Sequence, residues 1–410
     1  MYVASPDIPY VHLFYFVSTC ELQGVSQLTG SSEIMQRRPG ISRTIFIITL
    51  VVVAAVSGVT GYLVNGILHP PPAGETLTGA GATFPYPFLS AVGSNYSRIH
   101  PNIQINYQAI GSGAGIKALG AKTVDFAASD APLSPAQTTA LPAAALHIPE
   151  TIGAVVVAYN LPGILTGLNL NSTTIARIFQ GNITMWNDAR IQALNPSLTL
   201  PAQQILVVHR SDGSGTTFVF SGYLNTAASG VWVLGQATSI AWPVGIGASG
   251  NQGVAGPLLG THYTIGYVEL AYALTNSAMT YGFVRNHDNT TFVKPSLANV
   301  TYAVQNATAP PATLPQGNQS WASVNLLNAK GLDSYPIVSF SYLLVYRELS
   351  IVPGMTLDKA KAIVNFLWFV VHDGQALASP LAYVPLPSGV VTIDEATMKS
   401  ITFNGQTLLT

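Results

Sequence analysis

Charged residues are scarce in this chain of 410 residues. Only 8% of the residues are Asp, Glu, Lys or Arg, about a third of the usual share, and the formal net charge is −1. No basic run stands out, which argues against a nucleic-acid partner. A protein with so few charged residues keeps its net charge nearly constant as the pH falls, because few carboxylates are present to be protonated. The composition fits an extracellular protein of an acid-living organism, or equally a compositional bias of the lineage.

Cysteine and several catalytic signatures are also missing. The single cysteine, Cys20, can form no internal disulfide and cannot supply a cysteine-based metal site. The eight histidines show no H-E-x-x-H spacing, and no G-x-S-x-G elbow occurs. Residues 115–123, GIKALGAKT, are one residue too long for a P-loop. A zinc enzyme, a serine hydrolase and a P-loop nucleotide-binding protein are therefore not indicated.

A long uncharged apolar run occupies residues 44–68 and follows three arginines within residues 37–43. Its length fits one transmembrane helix, and arginines on this flank keep the N-terminal end in the cytoplasm. We expect an uncleaved anchor with the rest of the chain outside; a cleaved signal peptide, which would release the protein, is the alternative. Residues 1–43 are predicted to be cytoplasmic, or to include a segment before a true start at Met35. Residues 69–76 form a proline-rich linker.

Apolar runs alternate with amphipathic ones after this linker. Residues 103–110 alternate as a strand does, whereas 153–161 and 204–210 are β-branched runs typical of strands buried on both faces. Helical spacing is found in residues 114–122, 173–181 and 357–374. Strands that alternate with helices predict an α/β chain with mostly parallel sheets.

Three loops share one pattern, in which a strand is followed by small or hydroxyl-bearing residues and then by a helix. A helix start presents unpaired N–H groups and partial positive charge, and small residues let an oxyanion reach them. One such loop is more simply explained as an N-capped helix, but three of them together indicate an anion site. The candidate residues are Thr83 and Phe84 in the first loop, Ser112 in the second, and Arg210, Asp212, Gly213, Ser214, Gly215 and Thr216 in the third.

Asp130 adds a carboxylate to this set, within the stretch VDFAASDAPLSPAQ of residues 124–137. It could be a turn residue before a proline. In an anion site a carboxylate is repulsive unless the anion carries a proton that it can donate. Hydrogen phosphate has such a proton, whereas sulfate would leave two acceptors facing each other at a cost of several kcal/mol. Asp130 therefore favours phosphate over sulfate as the ligand.

Seven stretches of the chain resemble the high-affinity phosphate-binding proteins of ABC phosphate importers. In chain order they are GAGATFPYPF, GIKAL…TVDFAASDAPLS, GNITMWNDARIQALNP, HRSDGSGTTFVFSGYL, PVGIGASGNQGVAG, TIGYVELAYA and LAYVPLP. The resemblance implies an α/β, two-lobed periplasmic-binding-protein type II fold with mixed, mostly parallel sheets, here preceded by a transmembrane helix. One lobe would comprise residues 77–152 and 337–410, and the other residues 153–336.

The resemblance also implies how phosphate is held between the lobes. Arg210 would donate to the anion while Asp212 orients its guanidinium, and Asp130 would accept the phosphate proton. The remaining donors would be Thr83, Phe84, Ser112, Ser214, Gly215 and Thr216. We expect a monomer that delivers phosphate to ABC permease subunits, with no metal, no cofactor and no enzymatic activity. A related phosphatase and a surface phosphate sensor without a permease are the alternatives.

Overall fold

A computed structural model describes residues 74–309 and 313–409. The helices there are α1 (Tyr86–Ile99), α2 (Ser112–Gly120), α3 (Pro135–Ala140), α4 (Ser172–Phe179), α5 (Ala189–Gln192), α6 (Gly215–Ala227), α7 (Gly250–Gly260), α8 (Leu270–Leu274), α9 (Leu297–Thr308), α10 (Leu357–Val371) and α11 (Ser388–Lys399). Short 3-10 helices span Leu349–Ile351, Asp373–Leu377 and Ser379–Leu381. The strands are β1 (Glu75–Gly81), β2 (Ile103–Ala109), β3 (Phe126–Ser129), β4 (Ala145–Asn160), β5 (Asn169–Leu170), β6 (Leu206–Arg210), β7 (Ile246–Ala248), β8 (Thr264–Glu269), β9 (Thr280–Tyr281), β10 (Phe283–Arg285), β11 (Phe292–Val293), β12 (Val338–Tyr346), β13 (Thr402–Phe403) and β14 (Gln406–Thr407).

The elements predicted from hydrophobic patterning are present. The three predicted strands correspond to β2, to the second half of β4 and to β6. The three predicted helices correspond to α2, α4 and α10. Strand β4 shows why the apolar runs are so continuous, since every residue from its second to its fifteenth is buried. These predictions are confirmed.

The main sheet has the strand order β2-β1-β3-β12-β4-β8-β6-β7, with β9 paired to β4. Neighbouring strands run parallel at each end of the sheet. At one end β1 pairs with β2 and β3, and at the other β6 pairs with β7 and β8. The middle is antiparallel, because β12 pairs with β3 and β4, and β4 also pairs with β8. The predicted α/β fold with a mixed sheet is confirmed.

Strand β4 connects two lobes. Residues 145–154 pair with β12, whereas residues 155–160 pair with β8. The first lobe therefore contains β1, β2, β3, β12 and the first part of β4, and the second lobe contains the end of β4 with β8, β6 and β7. Parallel strands point their carboxyl ends to one edge of a sheet, where ligands of α/β proteins usually bind. The loops that follow β1, β2 and β6 are the three loops singled out in the sequence.

Within residues 74–309 and 313–409, no helix has both the length and the apolar character needed to cross a membrane. The predicted anchor at residues 44–68 and the N-terminal residues 1–43 lie outside the described part of the chain.

Candidate anion-binding site

The loops of the two lobes touch where helices α2 and α6 begin. The Gly215 N–H donates to Ser112 Oγ over 3.0 Å, and the Gly113 N–H donates to the Gly213 carbonyl over 2.8 Å. Gly111, just before α2, has φ 92°, and a Cβ there would lie 3.0 Å from the same carbonyl. Both the backbone angle and the close approach require glycine at this position. The small residues of these loops therefore let two helix starts meet.

Arg210 is the last residue of β6, and only 3% of its surface is exposed. Its Nε donates to Asp212 Oδ1 over 2.7 Å, and its Nη2 is paired with Asp212 Oδ2. Its Nη1 donates to Thr216 Oγ1 over 3.2 Å. Burial opposes ionisation of Asp212, but the hydrogen bonds and charge of Arg210 outweigh it and lower the pKa of this carboxyl. The aspartate thus holds the planar guanidinium in one orientation and keeps its charge compensated.

Asn251, the second residue of α7, fixes the direction of two hydroxyl groups. The Glu269 N–H donates to Asn251 Oδ1 over 3.0 Å, so the Nδ2 group of Asn251 must face Thr83 and Thr216. This Nδ2 lies 3.0 Å from each threonine Oγ1. Thr83 Oγ1 also accepts from the Asn251 backbone N–H, and Thr216 Oγ1 also accepts from Arg210. Each hydroxyl oxygen accepts twice, which fills its two lone pairs, so each hydroxyl can only donate further.

Asp130 directly follows β3 and is 1% exposed. Its Oδ1 accepts from Ser341 Oγ over 2.8 Å, while its Oδ2 is buried without a partner among the described residues. The start of α6 packs on this carboxyl, because a Cβ on Gly215 would lie 2.7 Å from Asp130 Cβ. Burial raises the pKa of Asp130 to about 7, against the opposing effects of the Ser341 hydrogen bond and the Arg210 charge. One acceptor therefore lies among groups that otherwise donate.

Phe84 and Ser214 have structural partners of their own. The Phe84 carbonyl accepts from the Tyr383 hydroxyl over 2.6 Å, and the Phe84 side chain is fully buried. Ser214 Oγ accepts from the Thr217 N–H over 3.0 Å and caps α6. The Ser214 N–H donates to the Thr238 carbonyl over 2.8 Å. The backbone N–H groups expected as donors at Ser214 and Gly215 are thus already engaged, by the Thr238 carbonyl and by Ser112 Oγ. The hydroxyl hydrogen of Ser214 is the donor that remains.

Four residues of this region were not predicted from the sequence. Glu150 and Ser341 are polar residues in strands that are mostly apolar and buried, and their position there was the available signal. Asn251 follows Ser249 and Gly250 at a strand–helix junction, the pattern already recognised in the other three loops. Glu269 caps α8 through a hydrogen bond from the Ala271 N–H.

Two of these residues bear on the electrostatics of the site. Burial raises the pKa of Glu150 and of Glu269 well above the usual value. Burial therefore favours the neutral form of both acids, and the charges of Arg210 and Asp212 cancel. The site can hold an anion through neutral donors and one guanidinium. Among residues 74–309 and 313–409, no cluster of three or more His, Cys, Asp or Glu side chains is arranged to hold a metal ion.

Comparisons with known proteins identify the family and the fold of this chain. The family model of the PBP superfamily domain matches residues 69–373. Phosphate-binding protein PstS from Xylella fastidiosa is 40% identical over 336 residues, which cover 80% of this chain and 87% of the relative. PstS from Methanocaldococcus jannaschii is 34% identical over 368 residues, covering 85% and 92%. The crystal structure of a phosphate-binding protein from Stenotrophomonas maltophilia shares the fold, with a TM-score of 0.62 at 20% identity and coverage of 79% and 94%.

Proposed function

The chain belongs to the PBP superfamily and, within it, to the PstS phosphate-binding proteins, and on this premise we propose that it captures inorganic phosphate and delivers it to an ABC phosphate permease. Its role is to bind and release the ion, with no bond broken. Closure of the two lobes on the ligand would mark the loaded state that the permease recognises.

The donors of the site suit a tetrahedral oxyanion. The hydroxyls of Thr83 and Thr216 can only donate, because their lone pairs are already used. Ser112 accepts from Gly215 and keeps its own hydrogen. Thr216 is the second residue of α6, so its backbone N–H has no partner within the helix. Arg210 adds N–H groups that its pairing with Asp212 does not use. In this proposal, all of these groups point their hydrogens at phosphate oxygens, as do the Phe84 N–H and the Ser214 hydroxyl.

Asp130 carries the proposal that the anion is phosphate. Its Oδ2 is a buried acceptor beside the start of α6, and it has no partner in the part of the chain that the structure describes. An anion that still bears a proton can donate to this oxygen, and sulfate cannot. When Asp130 itself is protonated it can donate, and the site loses its reason to reject sulfate. Because burial raises the pKa of Asp130 to about 7, we expect phosphate selectivity to weaken in acid.

The arrangement of the rest of the protein follows from the same proposal. The lobe boundaries, 77–152 with 337–410 and then 153–336, are supported by strand β4, which changes partners between residues 154 and 155. The binding lobes would lie outside the cytoplasm. Residues 44–68 would tether them to the membrane, or would be removed to release a monomeric protein.

Calorimetry on the full-length chain tests this function with phosphate and sulfate as separate ligands. We expect phosphate to bind at least about 100-fold more tightly than sulfate when the pH is about two units above the Asp130 pKa of about 7, because the carboxylate form then predominates and an unsatisfied acceptor pair costs about 3 kcal/mol. Asp130→Asn should reduce this ratio to about tenfold or less, because an amide can donate to either anion. Asp288→Asn, at an acid whose side chain is 47% exposed, is the matched control and should change nothing. Failure of the unaltered protein to bind phosphate would contradict the proposal.

A further inference from the structure

Glu150 lies behind the anion site, at an irregularity in the sheet. The pairing of β4 with β12 shifts between Ser341 and Tyr342, which leaves Glu150 without an opposite residue. The extra residue forms a β-bulge, a feature that redirects a side chain and often lies beside a functional site. The carbonyl that the bulge frees accepts from Gln375 Nε2 over 2.8 Å. The Glu150 carbonyl thus has a hydrogen-bond partner despite the bulge, and the carboxyl group of Glu150 is fully buried.

The hydroxyl of Ser341 links Glu150 to Asp130. Ser341 Oγ lies 3.0 Å from Glu150 Oε1 and 2.8 Å from Asp130 Oδ1. A serine hydroxyl has one hydrogen, and an ionised carboxylate can only accept. If both acids were ionised, one of these two contacts would join two acceptors. The three groups therefore need one carboxyl proton, and the acid that holds it donates to Ser341.

The surroundings place that proton on Glu150. Arg210 acts on Asp130 and favours its charged form. Among the residues that the structure describes, the neighbouring charge that acts on Glu150 is that of Asp130, which favours the neutral acid. Burial raises the pKa of both acids, and at Asp130 the charge of Arg210 opposes this rise. The second oxygen of Glu150 has no partner among the described residues that would stabilise a charge.

We propose that Glu150, as a neutral acid, donates to Ser341 and thereby holds Asp130 as the carboxylate that receives the phosphate proton; this inference rests on the function proposed above. Glu150 is a positioning residue in this scheme and does not touch the ligand. When Glu150 ionises in alkaline solution, two carboxylates compete for one hydroxyl hydrogen, and a second buried negative charge faces the anion. Glu150 thus sets an upper pH limit for phosphate capture.

Other titratable groups also face this pair and must be separated from it. Glu269 is a third buried acid whose ionisation in alkali would oppose anion binding. The groups that exchange electrostatic effects with Asp130 or Glu150 are Arg210, Glu269, Tyr107, Tyr272, Tyr342 and Tyr383. Burial raises the pKa of each of these tyrosines, so they stay neutral over the range of the test. A substitution at Glu150 alone isolates its contribution.

The test compares Glu150→Gln with the unaltered full-length chain. Glutamine keeps the shape of the protonated acid and can donate an amide hydrogen to Ser341, but it cannot ionise. Phosphate affinity is measured by calorimetry from about pH 5 to about pH 9.5. The ratio of the two affinities at each pH is independent of the titration of phosphate itself, because both proteins meet the same mixture of phosphate ions. We expect the same affinity within about twofold up to neutral pH. In alkali the unaltered chain should become weaker than the variant by about tenfold or more, as expected for a buried charge near the anion.

Asp394→Asn is the matched control, because Asp394 is also a fully buried acid but is perturbed by burial alone. It should leave the pH profile of phosphate affinity unchanged. A constant affinity ratio between the Glu150 variant and the unaltered chain at every pH would overturn the inference. If Glu150→Gln does not fold, Ser341→Ala replaces it and should weaken binding by about tenfold, because Asp130 loses a charge-assisted donor; unchanged binding would overturn the inference too. Absence of phosphate binding by the unaltered chain is a different result and counts against the proposed function.

Discussion

Replacement of Gly215 by alanine tests whether the start of α6 must lie against Asp130 when phosphate is bound. An alanine Cβ would lie 2.6 Å from Ser112 Oγ, 2.7 Å from Asp130 Cβ and closer still to the Asp130 carboxyl. Ordinary contacts of this kind begin at 3.4 Å. Both neighbours belong to the first lobe, and Gly215 belongs to the second. Either the lobes stay about 1 Å further apart or the Asp130 side chain turns away.

The expected loss follows from the contacts that this shift removes. The Gly215 N–H no longer reaches Ser112, and Asp130 no longer lies where the phosphate proton can reach it. The hydrogen bond between phosphate and the charged Asp130 contributes about 1.5–3 kcal/mol, and the neutral bond from Gly215 to Ser112 contributes about 0.5–1.5 kcal/mol. Together they correspond to a loss of about 30-fold to about 2,000-fold in phosphate affinity. Gly215 is the first residue of a helix, where alanine is favoured over glycine by at most about 1 kcal/mol. The variant should therefore fold with little change in stability while its phosphate affinity collapses.

Phosphate calorimetry and thermal unfolding are measured on the same samples to separate the two effects. Gly256→Ala in α7 is the matched control, since a Cβ there would meet nothing within 4 Å. The control should bind phosphate normally and gain slightly in stability. If Gly215→Ala bound phosphate within about threefold of the unaltered chain, the observed packing of α6 on Asp130 could not be the arrangement that holds the ligand, and the reasoning would be refuted.

Two further predictions concern Asn251 and the buried acid Asp394. Asn251→Asp should weaken phosphate binding by about 100-fold, because the new carboxylate accepts the hydroxyl hydrogens that otherwise point to the anion. Asn251→Ala should weaken it less. Calorimetry that finds equal losses in both variants would contradict the conclusion that the Thr83 and Thr216 hydroxyls donate to the anion. Burial raises the pKa of Asp394 well above its usual value, so the native state binds more protons than the unfolded state above the unfolded-state pKa of about 3.9. The free energy of unfolding contributed by Asp394 therefore falls by about 1.4 kcal/mol per pH unit as the pH rises, until the native carboxyl ionises. Asp394→Asn should be more stable than the unaltered chain at pH 7. The free energies of unfolding of both proteins are measured in urea, and a difference between them that stays constant from pH 4.5 to pH 8 would show the argument to be wrong.

Local patterns were sufficient to predict three of the helices and three of the strands, and they singled out most of the loop residues of the candidate site. A strand such as β4 is buried along nearly its whole length, and this leaves a continuous apolar run in the sequence. The pairing of Arg210 with Asp212 joins residues two positions apart, so it too was visible as a local pattern. The anchor at residues 44–68 stays a prediction.

Contacts between distant segments were not predictable from the sequence. Asn251 meets Thr83 across 168 positions, and Ser341 meets Asp130 across 211. A polar residue in an apolar run shows that something must satisfy it, but the partner depends on the order of strands in the sheet. Here β12 lies between β3 and β4, and the bulge in β4 directs Glu150 to Ser341.

The sequence by itself determined which segments become strands and helices and which loops can receive an anion, because these properties depend on neighbouring residues. The tertiary structure alone decided which hydroxyls can only donate and which buried acid keeps its proton. Both properties depend on lone pairs and hydrogens that are shared between groups from different strands and helices.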